Sequence, residues 1–254
     1  MVVGGCSNIK VGILGGIGPE ATAEFYSKLI KELQIKGLIK ENKDYPQIII
    51  NSINAPELVG GEITEEQLEH YIQGLRELDS LNLDFIMMIC NTIHLYFDYL
   101  QDKIKTPIIN LKNLVKSYLE KNKISSVLVL GTKNTLLRGL YKFEGIKHTI
   151  PNEEEQNILE NCIANFNRGY KKEEQIQNTL NICNKYLTKG SGRVILGCTE
   201  FAVMLKDEQI PKINTMDILL SYLTNFSSKL KLIERRLEEN GKKRNNCFYL
   251  SLEL

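Results

Sequence analysis

Two short apolar runs, each closed by a cysteine, constrain this chain most. They are Ile86-Met87-Met88-Ile89-Cys90, followed by Asn91-Thr92, and Val194-Ile195-Leu196-Gly197-Cys198, followed by Thr199-Glu200. A run this short and apolar at every position reads as a strand buried on both faces of a parallel sheet. In such sheets ligands gather beyond the carboxyl ends of the strands, where both cysteines would stand. One thiol on either side of a small substrate is the arrangement this suggests.

Further strands are predicted over residues 10–14, 47–53, 107–110, 126–131 and 212–214, with the cysteine runs covering 84–90 and 193–198. Between most of them, apolar residues recur at spacings of three and four, which predicts helices over 21–38, 64–81, 92–103, 112–121, 135–143, 153–170 and 173–187. Thr64 with Gln67 has the form of a capping box, and Asn91 or Thr92 is placed to cap a helix after Cys90. Strand and helix in alternation define an α/β fold with parallel sheets.

The halves echo each other. A strand ends in glycine (Gly15, Gly131), and a strand ending in cysteine follows after 75 residues in the first half and 67 in the second. This predicts two pseudo-symmetric α/β lobes, each a mostly parallel sheet flanked by helices, with an active site in the cleft between them. A chain of 254 residues is long enough for two modest domains. The expected division is 1–111, completed by a returning segment 216–254, against 112–215. The charged stretch from Lys229 to Arg244 is expected to be a solvated helix, and the short apolar tail carries no functional reading.

Composition excludes several classes of partner. Charged residues make up 25% of the chain and the formal net charge is +1, so no global field recruits nucleic acid, an anionic membrane or an acidic protein. No apolar stretch reaches the roughly 20 residues that cross a bilayer, and the start lacks the pattern of a signal peptide, which leads us to expect a cytoplasmic protein and a small-molecule partner. Six cysteines show neither C-x-x-C nor a Cys/His cluster, so neither a disulfide framework nor a metal site is expected.

Gly12-Ile13-Leu14-Gly15-Gly16-Ile17-Gly18-Pro19-Glu20-Ala21-Thr22 is a strand entering a glycine turn and then a helix, a form in which the backbone N–H groups at Gly16 and Ile17 converge on an anion. It fits the dinucleotide fingerprint in part, but Asn51 stands where the acidic residue would be. Carboxylate and phosphate binding stay open, with Asn51 counted among the substrate-binding positions. A thiol at a helix start is expected to have its pKa drawn from about 8.5 toward neutrality. Two such thiols flanking a carbon acid can act as base on one face and acid on the other, as inversion of a stereocentre requires. Asn91, Thr92, Thr132, Thr135 and Thr199 are placed either to hydrogen-bond a substrate or to cap helices. His94, four residues after Cys90, is expected on the same helical face, steadying the thiolate or a carboxylate. Glu200 is a candidate partner for a substrate ammonium, or a first-turn acid.

Taken together, Gly18-Pro19-Glu20-Ala21-Thr22, Cys90-Asn91-Thr92-x-His94, Gly131-Thr132-x-x-Thr135 and Gly197-Cys198-Thr199-Glu200 resemble the aspartate/glutamate racemase family, most closely its aspartate racemase branch. The resemblance implies an interlobe active site, homodimers, and racemisation without pyridoxal phosphate, metal or other cofactor. It makes Cys90 and Cys198 the two acid/base thiols and Arg168, just before Gly169, a carboxylate anchor. Pro56-Glu57-Leu58 departs from the branch's Pro-Asp-Arg, so the forked arginine donor is absent. The expected activity is racemisation of aspartate or glutamate. The alternatives are an isomerase or lyase acting on another small carboxylic acid, or a carboxylate-binding protein without turnover.

Overall fold

In a computed structural model, residues 9–58 and 63–239 are described, with side chains described up to residue 228. Cys6, Cys247 and the apolar tail lie outside the described residues, as do the side chains of the charged stretch. The first sheet is three parallel strands, β1 (Lys10–Gly15), β2 (Gln47–Ser52) and β3 (Phe85–Met88), in the order β2-β1-β3. The second contains β4 (Ser126–Gly131), β5 (Lys147–Thr149), β6 (Arg193–Gly197) and β7 (Lys212–Asn214), also parallel, in the order β5-β4-β6-β7. In both, the glycine-ended strand pairs with the cysteine-ended one: Leu14 faces Met88, and Gly131 faces Gly197. The α/β reading with two parallel sheets flanked by helices holds.

The helices are α1 (Pro19–Ile35), α2 (Glu65–Asp79), α3 (Phe97–Gln101), α4 (Leu111–Lys121), α5 (Lys133–Leu137), α6 (Glu153–Asn167), α7 (Lys172–Thr188), α8 (Thr199–Met204) and α9 (Thr215–Glu239). In α1, Ala21, Phe25, Leu29 and Leu33 recur every four residues and are all buried. Each large side chain so buried contributes roughly 1.5–3 kcal/mol, which fixes the helix against the sheet and aims its N-terminus at the strand ends. The capping box at α2 forms as expected: Gln67 N–H donates to Thr64 Oγ1 at 3.2 Å, and Thr64 N–H donates to Gln67 Oε1 at 2.9 Å. One apolar core joins the inner faces of both sheets, and a second cluster fills the space between β3 and α2. After β7, α9 packs against α1 and α4, with Tyr222 and Phe226 edge-on to Phe85.

Several local expectations are corrected. Residues 107–110 make an isolated bridge, Ile86 to Ile108, because Pro107 has no N–H and the Gln101 side chain takes the Ile108 N–H at 2.7 Å. The helix expected over 92–103 is a 3-10 turn, Thr92–Tyr96, followed by the single-turn helix α3. The helix expected over 135–143 is the shorter α5, and the chain turns at Gly139 with φ +62°. β5, three polar edge residues, carries no hydrophobic signal. No helix among the described residues is long and apolar enough to cross a membrane.

Candidate active site

The carboxyl ends of β1, β3, β4 and β6 converge on one cavity of about 420 Å³, lined by both Cys90 and Cys198. Each thiol comes from a different sheet. Cys90 is 8% exposed and Cys198 7% exposed. Gly16, Ile17, Asn91, Thr92, Thr132, Thr199 and Glu200 line the cavity too.

The turn after β1 shapes one wall. Gly16 and Gly18 have φ of +82° and +93°, a left-handed conformation that glycine adopts without penalty. The Gly16 N–H is already taken by Thr22 Oγ1 at 3.1 Å, so the anion-directed donor expected there is engaged within the turn. Among the described residues the Ile17 N–H has no backbone partner, and it stands as a donor at the wall. The approach across the cleft is close: a Cβ on Gly18 would lie 2.7 Å from Glu200 Oε1.

On the opposite side, the Cys198 thiol donates to Glu200 Oε2 at 2.7 Å, the Thr199 hydroxyl donates to the same oxygen at 3.2 Å, and Asn167 Nδ2 donates to Oε1 at 3.4 Å. Glu200 is thus the first-turn acid of α8 and also holds the thiol through its proton. Thr92, Thr132 and Thr135 close a triangle of hydroxyls with sides of 3.0, 3.0 and 3.2 Å, joining the turn after β3 to the start of α5. Thr92 therefore clasps the two halves rather than capping its own turn, and Asn91 makes no side-chain cap either.

Burial reverses the expected direction of both thiol pKa values. Cys90 is pushed up to about 12 by desolvation, more than the Ile93 and Thr92 backbone N–H groups draw it down, and the Glu200 charge adds to the rise. Cys198 is raised well above its ordinary value, by burial first and then by Glu200 and Cys90. A helix start lowers a thiol pKa when water or a cation shares the site; here no cation among the described residues lines the cavity, and the desolvation of a buried charge wins.

Other expected site residues lie elsewhere. Asn51 Nδ2 donates to the Gly74 carbonyl at 3.0 Å and to Glu77 Oε2 at 2.8 Å, tying β2 to α2 away from the cavity. His94 does not line it. A 3-10 turn advances three residues per turn, so position 94 is not stacked over position 90 as in an α-helix. Its ring is buried and packs parallel to Phe97, and burial, which outweighs the contact with the Met88 backbone, lowers its pKa to about 4, leaving it neutral. Arg168 is exposed at the C-cap of α6, and its neighbour Asn167 lines the cavity instead. Thr135 sits behind Thr92 and Thr132. Cys162 and Cys183 are buried in α6 and α7, away from the cavity.

Sequence reasoning missed Tyr141. Its hydroxyl donates to Asn91 Oδ1 in the buried wall, and burial holds the phenol neutral. With Oδ1 occupied as acceptor, the Asn91 amide is fixed with Nδ2 as its remaining donor, and Nδ2 has no protein partner. Only the fold brings these residues together across 50 positions.

Known proteins share this architecture. A family model described as Asp/Glu/Hydantoin racemase matches residues 14–223. A broad-specificity amino-acid racemase, RacX of Bacillus subtilis, is 29% identical over 134 residues, which are 52% of this chain and 58% of that relative. The alignment therefore spans little more than half of that relative's length. The structure of an aspartate racemase from Picrophilus torridus superposes with a TM-score of 0.71 at 25% identity, covering 87% of this chain and 95% of that one. An aspartate racemase homologue from Pyrococcus horikoshii gives 0.64 at 28% identity, covering 86% and 99%. With the family model spanning both sheets and both cysteines, the chain belongs to the Asp/Glu/hydantoin racemase family.

Proposed function

We propose that this protein racemises a free amino acid without a cofactor, using Cys90 and Cys198 as opposed acid and base. The observation that carries the reading is that two buried thiols, one from each sheet, line a single cavity. One thiolate removes the α-proton and the opposite thiol protonates the other face, so the thiol and thiolate exchange places in each turnover. As the α-carbon loses its proton, charge moves onto the substrate carboxylate. Donors aimed at that charge stabilise it; the Ile17 N–H and the Asn91 amide supply that role here, while the Thr92 and Thr132 hydroxyls, bonded to each other and to Thr135, hold the wall in place. Glu200 accepts a hydrogen bond from the protonated Cys198 thiol in the resting site.

Aspartate and glutamate, the substrates implied by the sequence resemblance, are the first acids to assay, although no basic side chain among the described residues lines the cavity. The same reading takes 1–111 with 216–254 as one lobe and 112–215 as the other. It also includes a homodimer, which light scattering would check. The test of the activity is formation of D-enantiomer from L-amino acids, followed by chiral chromatography in the presence of a metal chelator and hydroxylamine. Undiminished turnover is expected. Inhibition by either reagent would overturn the cofactor-free mechanism.

The raised thiol pKa values give a pH dependence. The thiolate base is the minor form throughout neutral pH and grows with rising pH, so log kcat/KM is expected to climb with a slope near one between about pH 6 and 8. A flat profile over that range would mean a base already ionised.

Tyr141 has a positioning role in this scheme. Tyr141→Phe leaves Asn91 Oδ1 without its donor and the amide free to turn. A loss of about tenfold in kcat is expected with KM little changed, the size of one hydrogen bond to a developing charge. Equal loss of stability and KM without a change in kcat would reduce Tyr141 to a packing residue.

A further inference from the structure

We infer that the substrate carries a single carboxylate, its side chain being apolar or cationic rather than acidic; this rests on the racemase reading above. Apart from the two thiols, the ionisable side chains lining the cavity among the described residues are Glu20, Glu57 and Glu200, with no lysine, arginine or histidine. Glu200 is 7% exposed, and the groups donating to it are a thiol, a hydroxyl and an amide.

The cations nearest to the site do not line the cavity. Arg168 is exposed at the end of α6 and outside the lining. His94 is neutral and faces Phe97. Lys172 pairs with Glu20 at 2.6 Å at the edge of the site. At Leu58, where the family resemblance leads one to expect arginine, the side chain is buried and apolar.

The α-carboxylate can be met by neutral donors, as described above, and the α-ammonium finds carboxylates in the same cavity. A second carboxylate finds none of these complements. It would meet the apolar wall made by Ile17, Pro56, Leu58 and Ile163, or the negative charge of Glu57. A carboxylate moved out of water without a cation or donor set is strongly disfavoured, and like charges at short range add to the cost. An aliphatic side chain matches the wall, and a cationic end matches Glu57 at the exposed rim.

The deciding experiment is α-proton exchange in D2O with the wild-type protein and, separately, L-alanine, L-methionine, L-lysine, L-ornithine, L-aspartate and L-glutamate, read by proton NMR. A single-carboxylate acid is expected to exchange at least roughly 100-fold faster than aspartate or glutamate, as for a site that leaves a polar group unmatched. Fastest exchange with aspartate or glutamate would overturn this inference and leave the racemase reading standing. No exchange with any of the six would overturn the racemase reading and this inference with it. A second variant tests the electrostatic basis: Glu57→Lys, on an exposed side chain, is expected to narrow the gap in favour of aspartate by about tenfold. An unchanged ratio in that variant would overturn the assignment of selectivity to the charge of the cavity.

Discussion

Cys90→Ser and Cys198→Ser are each expected to lower racemisation by about 10³-fold, within the range that general acid or base catalysis contributes. The reason lies in the place of the two thiols. Each is buried, each lines the same cavity, and each lies at the end of a different sheet. A serine hydroxyl occupies nearly the same space but is far harder to ionise, so a serine cannot take the α-proton from its face. The partner thiol in each variant still stands on its own face, so slow exchange from one enantiomer should persist where exchange from the other does not. The two variants should show opposite preferences. Assaying exchange from separate L- and D-substrates checks this, and loss of both directions to the same residual rate in both variants would speak against separate faces. The surrounding fold should survive, because the change is nearly isosteric and leaves the Thr92, Thr132 and Thr135 clasp intact.

The second large effect is on stability. Gly16→Ala is expected to cost at least about 3 kcal/mol and to lower Tm by about 6–12 °C for a chain of this size. The position has φ +82°, which an L side chain rarely adopts, and a Cβ there would lie 2.2 Å from the Ile53 carbonyl oxygen and 2.6 Å from its nitrogen. Both are backbone atoms following β2, and neither can move without unseating the edge strand. Gly37 is the control, since it also has positive φ (+63°) but open space around its would-be Cβ. Gly37→Ala should cost only the conformational term, about 1–2 kcal/mol. Equal losses in the two variants would show that the close approach at Gly16 does not matter. Because Gly16 also shapes the cavity wall, activity should fall further than Tm alone explains when assayed well below unfolding.

Much of the fold and the centre of the site were legible because they rest on local chemistry. Strands buried on both faces need unbroken apolar runs, so Met87-Met88-Ile89 and Ile195-Leu196 announce themselves, and the cysteines closing them fall at the strand ends. The glycines after β1 and the capping box at Thr64 are equally local signals. What was not legible depends on geometry that the sequence does not encode at short range. Helical spacing puts His94 over Cys90, but the turn after Cys90 is 3-10, and the ring packs on Phe97. Arg168 ends α6 at its exposed cap, so a basic residue at the family position does not reach the cavity. Tyr141 reaches Asn91 only because the two sheets meet. The motif points the thiol pKa values downward and the structure turns them upward, because burial and a cavity lining without cations among the described residues are tertiary facts that a motif does not carry.

The most direct test of the central claim is the isotopic course of the reaction in D2O at low conversion, starting from a single enantiomer of whichever amino acid turns over. Two opposed thiols predict that the newly formed enantiomer carries deuterium at the α-carbon while the remaining substrate keeps its protium, because the proton leaves toward one thiol and the deuteron arrives from the other. Protium carried over into the product, or deuterium appearing in the unreacted enantiomer as fast as in the product, would point to a single group serving both faces and would contradict the account.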